Sequence, residues 1–245
     1  MSRRDPREPG PRDRDLRAGD LRDGGLRDGE LRDGGLRDGG LRGSDHSLSY
    51  LLAAAELTRA IDPRELDAIA HGLAAVRARG GRLFILGVGG GAGHASHAVN
   101  DFRKLCAIES YAPTDNVSEL TARTNDDGWE TSFSAWLQIS RLSQRDALLV
   151  FSVGGGSREL GVSVNLVSAI EAAHALGASI YGVVGAPGGT LAELAHVAVR
   201  IQPPPPLRTP LVESLQALVW HALVSHPQLA VKAGHWESLA AAGAV

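Results

Sequence analysis

Apolar residues along this chain fall into two patterns, and their alternation predicts the fold. Continuous apolar runs occupy 83–86 (LFIL), 147–151 (ALLVF), 180–184 (IYGVV) and 197–201 (VAVRI), with a weaker one around 110–112. Short runs of this kind, bounded by turn residues, read as buried strands. Between them, helical segments are expected at 94–105, 116–123, 129–142, 158–176 and 189–195, with a last helix from about Pro210. Upstream, Leu51, Leu52, Ala55 and Ile61 suggest a first helix. Pro63 fits the first turn of a second helix, capped by Asp62 and carried through Leu66, Ile69, Leu73 and Val76 to Gly80 and Gly81. Strands alternating with helices predict an α/β protein, a three-layer doubly wound sheet of about five parallel strands flanked by helices. Ligands of such sheets sit at the carboxyl ends of the strands.

The first 46 residues follow neither pattern. A pentapeptide of the form L-R-x-G-x repeats from Leu16, with leucines at 16, 21, 26, 31, 36 and 41. A five-residue period matches neither helix nor strand, and leucines this sparse build no core, so 1–46 is expected to be a disordered tail. Residues 47–245 are then the folded domain, long enough for a full α/β core. The net charge of −3 gives no reason to expect nucleic acid or an acidic membrane as partner. A single cysteine, Cys106, fits a reducing compartment. No run approaches the ~18–20 apolar residues of a membrane span, and no signal-peptide core is seen, so a cytoplasmic location is expected.

Two strand-to-glycine turns carry the candidate chemistry. Gly87, Gly89, Gly90, Gly91 and Gly93 follow the first strand, and Gly154, Gly155 and Gly156 follow the third, between Ser152 and Ser157. Glycine turns between a strand and a helix present backbone N–H groups to anions. Neither turn is a convincing dinucleotide fingerprint or a P-loop, so no nucleotide cofactor is expected. Behind the first turn, His94, His97 and Asp101 share one helical face. His97 and Asp101 could bind a metal together, pair as a general base and its orienter, or form a surface ion pair. Glu213 and His221 lie eight residues apart on the last helix, broadly on one side. Two histidines and two carboxylates suit zinc or a similar divalent ion.

The stretch GVGGGAGHASHAVND resembles the GNGGSxxxAxHxxxE motif of the sugar isomerase (SIS) family, specifically its phosphoheptose isomerase branch. TNDDGW (124–129), SVGGGS (152–157) and ESLQALVWH (213–221) keep the family's order and approximate spacing. The resemblance implies an aldose–ketose isomerase acting through an enediol on a phosphorylated sugar such as sedoheptulose 7-phosphate. It implies acid/base roles for Asp101 and His221, and metal ligation by His97, Asp101, Glu213 and His221. It implies substrate binding by Gly89, Gly90, Gly91, Asp126, Ser152 and Ser157, and a homo-oligomer, dimer or tetramer, with sites at subunit interfaces. The alternatives are a non-catalytic sugar-phosphate-binding or regulatory protein, or an enzyme of this fold turned to an unphosphorylated ligand. Val88 stands where the family has asparagine, Gly91 where it has serine, and Asp101 is one methylene shorter than the family's glutamate.

Overall fold

A computed structural model describes residues 43–241. The expected tail boundary at residue 46 falls inside the first helix, α1 (Gly43–Ala60), and the rest of the repeat segment lies outside the described residues. Helix α2 (Pro63–Ala78) starts as expected. Pro63 takes the first position, where no N–H is needed, and the Asp62 carboxylate accepts from the Arg64 N–H. Among the described residues, no helix is long and apolar enough to cross a membrane.

Five parallel strands form one sheet: β1 (Leu83–Gly87), β2 (Ser110–Tyr111), β3 (Ala147–Ser152), β4 (Ser179–Gly185) and β5 (Val197–Ile201), in the spatial order β2-β1-β3-β4-β5. Both faces are covered, which is why the inner strands read as unbroken apolar runs. On one face, Leu83, Ile85, Leu149 and Val183 pack against α2, α3 (Gly90–Cys106) and α8 (Arg208–Val224). On the other, Phe84, Leu86, Val150 and Ile180 pack against α5 (Ser132–Ile139), α6 (Val164–Ala175) and α7 (Gly189–Leu194). From β1 the chain runs out to the edge strand β2 and returns on the far side of β1 as β3. That reversal opens a crevice at the carboxyl ends of β1 and β3, where both glycine turns emerge.

Two elements depart from expectation. The helix expected over 158–176 begins only at Val164. Ser157 and Val162 exchange both backbone N–H···O bonds, at 2.9 and 3.0 Å, and Gly161 and Ser163 have positive φ, so this stretch cannot wind into a helix. A further short helix, α9 (His235–Ala241), follows a segment fastened to the body. The Arg77 guanidinium donates to the carbonyls of Cys106, Gln228 and Leu229, and the N–H groups of Val231 and Lys232 both donate to the Leu105 carbonyl.

Candidate active site

Helices α3 and α8 lie side by side and run in the same direction, in step. Gly90 meets Glu213, His94 meets Gln216, His97 meets Trp220 and His221, and the Cys106 thiol reaches the Val224 carbonyl. Their apolar sides, including Ala98, Phe102, Val219 and Leu223, are buried against the sheet. What remains along the seam is a row of polar side chains starting at the crevice.

Partway along this seam His97, Asp101 and His221 converge. One ligating atom from each lies within 4.8 Å of the others. The His97 Nε2 is 3.7 Å from an Asp101 carboxylate oxygen, and the His97 and His221 rings stand nearly perpendicular with centroids 5.6 Å apart. The other Asp101 oxygen accepts from the Asn100 amide at 2.8 Å. His221 Nδ1 is 2.7 Å from the Ala217 carbonyl. A carbonyl only accepts, so Nδ1 carries a proton, and in the neutral ring Nε2 is the nitrogen that keeps its lone pair. Beneath the cluster, Trp220 is buried with its ring centroid 4.6 Å from that of His97. Two imidazoles and a carboxylate, one imidazole already oriented by a backbone carbonyl, fit a zinc-type ion. Cys106 lies close by in the core, but burial pushes its thiol up to about 11, so it stays protonated at neutral pH and is a poor ligand.

The other expected site residues are placed elsewhere. Glu213 is separated from His221 by about 12 Å of helix. It belongs instead to the mouth of the crevice: a Cβ on Gly90 would come within 2.5 Å of the Glu213 carboxyl carbon. Helix α3 has no acidic residue in its first turn and no side-chain cap, so Glu213 brings a negative charge to that positive helix end. Among the described residues the potential metal group therefore has three members, without Glu213. Asp126 ends α4 (Val117–Asp126), is exposed, and accepts from its neighbour Asn125. That helix packs through Leu120 on the opposite face of the sheet, so this chain does not bring Asp126 to the cluster.

The turns themselves are largely self-satisfied. The Gly91 N–H donates to the Val88 carbonyl and the Ala92 N–H to that of Gly89, which removes the Gly91 N–H from a phosphate cradle. Ser152 is buried and accepts from the Gly155 N–H at 2.9 Å. Ser157 accepts from the Leu160 N–H within the bridged excursion, so the serine that immediately precedes α6 is Ser163. Two buried amide side chains outside the expected set also stand out. Asn165, in the first turn of α6, is fully buried with neither amide atom partnered. Gln216 is fully buried too, its Oε1 3.2 Å from His94 Nδ1 and its Nε2 unpartnered. A lone glutamine among apolar neighbours on α8 was the readable signal.

No protein-family model matches the chain. The lincomycin biosynthesis protein LmbN of Streptomyces lincolnensis is 36% identical over 185 residues, covering 71% of this chain and 66% of that protein, just under two thirds of its length. A phosphoheptose isomerase of Rhodospirillum rubrum is 33% identical over 150 residues, covering 59% of this chain and 74% of the relative. Among solved structures, a phosphoheptose isomerase from Neisseria gonorrhoeae superposes with a TM-score of 0.64 at 24% identity, covering 74% of this chain and 94% of that one. This last match speaks to the fold.

Proposed function

Because the chain belongs to the phosphoheptose isomerase branch of the sugar isomerase (SIS) family, we propose that it is an aldose–ketose isomerase of a phosphorylated sugar, such as sedoheptulose 7-phosphate or a related higher sugar. The observation that carries this reading is the convergence of Asp101 and His221 beside His97. The Asp101 carboxylate takes the proton from the carbon next to the substrate carbonyl, and the electron pair forms the enediol double bond. His221, with Nδ1 already protonated, uses Nε2 to carry the hydroxyl proton from one oxygen to the other. Asn100 and the Ala217 carbonyl hold these two groups in place. Returning the proton to the neighbouring carbon completes the isomerisation with no net change in protons.

His97, Asp101 and His221 are the residues that would hold a zinc or similar divalent ion, which would polarise the substrate's oxygen atoms when bound. The phosphate end is assigned to the crevice between the glycine turns, near Ser163 and the unpartnered Asn165 amide. A homo-oligomer in a reducing cytoplasm completes the proposal. The stripe of exposed Leu48, Leu51 and Leu52 on α1 supports a self-association face.

Incubation with sedoheptulose 7-phosphate, followed by separation of the aldose and ketose, tests this. Asp101→Asn and His221→Ala should each lose roughly 10²–10⁴-fold in turnover while retaining the native circular dichroism spectrum. A wild-type protein that turns over no ketose phosphate, with or without added zinc, would refute the proposal.

A further inference from the structure

Asp101 and His221 face a cavity of about 480 Å³ whose outer wall comes from the segment following α8 rather than from α3 or α8. Ser225, Lys232, Gly234 and Glu237 line it together with the reactive pair. This wall is built into the fold: two consecutive N–H groups, of Val231 and Lys232, bond the Leu105 carbonyl, and Leu229 is fully buried beneath. Among the described lining residues Lys232 is the one permanent cation, and its ammonium has no ion pair among the described residues. Of the 25 lysine and arginine residues in the chain, only Lys104 and Lys232 are lysines.

A carboxylate base that removes a proton next to a carbonyl drives negative charge onto the carbonyl oxygen. A cation in the same cavity stabilises that oxygen more in the transition state than in the ground state. We propose that Lys232 is a catalytic residue of this cavity, its ammonium receiving the oxygen on which charge develops as the open-chain hydroxy-carbonyl sugar becomes an enediolate. The proposal rests on the isomerase reading for the reaction, and on the cavity alone for contact with the ligand. The C–H bond breaks toward Asp101, its electron pair forms the C=C bond, and the former C=O pair moves to the oxygen held by Lys232. The proton returns from Asp101 to the adjacent carbon.

Two readouts test it. Lysine acylation of the wild-type protein, followed by mass spectrometry, should be slowed about fivefold or more at Lys232 by sedoheptulose 7-phosphate, with Lys104 as the unchanged internal reference. Lys232→Met should lower kcat and solvent-deuterium exchange at the sugar's reacting carbon by about ten- to hundredfold with a smaller change in KM. Lys232→Arg should recover most of the loss. Equal labelling of Lys232 with and without the sugar, or a Met variant that exchanges like wild type, overturns the proposal. If turnover persists alongside either result, the isomerase reading stands without Lys232. Protection of Lys232 with no turnover in the wild type sinks the isomerase reading and keeps Lys232 as a ligand contact.

Discussion

After β1 the chain turns directly into α3, and the space left by Gly90 is occupied by the end of a long side chain, the Glu213 carboxylate. After β3 the chain makes a second glycine turn, but its carbonyls are used by a neighbouring loop. Leu191 and Thr190 donate their N–H groups to Gly155 and Gly156, capping the start of α7. A Cβ on Gly155 would overlap the Gly188 carbonyl oxygen, which belongs to a backbone that cannot swing away. Two glycine-rich turns thus have different reasons for a glycine. Gly90 in the first turn leaves room for a movable charged group, whereas Gly155 in the second lets two backbones touch, as Gly87 and Gly91 also do in the first.

Substitutions can break that contrast. Gly155→Ala should be the most damaging, because φ is +79° and the new methyl group meets backbone, with a loss of about 3 kcal/mol or more on denaturant unfolding. Gly91→Ser restores the family's hydroxyl but sets a Cβ 2.8 Å from the Phe151 carbonyl oxygen, so a loss of about 1–2 kcal/mol is expected. Gly90→Ala should change stability by less than about 1 kcal/mol, because only the flexible Glu213 side chain has to move. If the alanine at 90 destabilised the protein as much as the one at 155, Glu213 would be a fixed part of the packing and the contrast would collapse.

The parts of this fold set by local pattern were readable in advance. All five strands lie where apolar runs placed them, and Asp62 caps α2 as Pro63 implied. The pairing of His97 with Asp101 followed from their i, i+4 spacing. Glu213 lies apart from the His97, Asp101 and His221 group: spacing along a helix reports direction around the axis more readily than distance along it, and eight residues are more than two turns. The start of α6 was missed because Leu160 and Val162 continue an apolar pattern, although both are exposed in the bridged excursion. Lys232 is not legible as a cavity residue in the sequence because Asp101, which shares its cavity, comes from α3, far away along the chain.

The parallel packing of α3 against α8 makes the seam a fixed spacer between the first glycine turn and Asp101. From Gly90 to Asp101 is eleven residues, or about 16 Å of helix. Loops stretch by any amount, but this span changes only when residues are added to or removed from a packed helix. On the proposed isomerase reading, a substitution at Val88 or Gly91 would alter contacts at the turn while leaving the distance to Asp101 unaltered. On that reading the turn would select the terminal group of the ligand, and the helices would set its length.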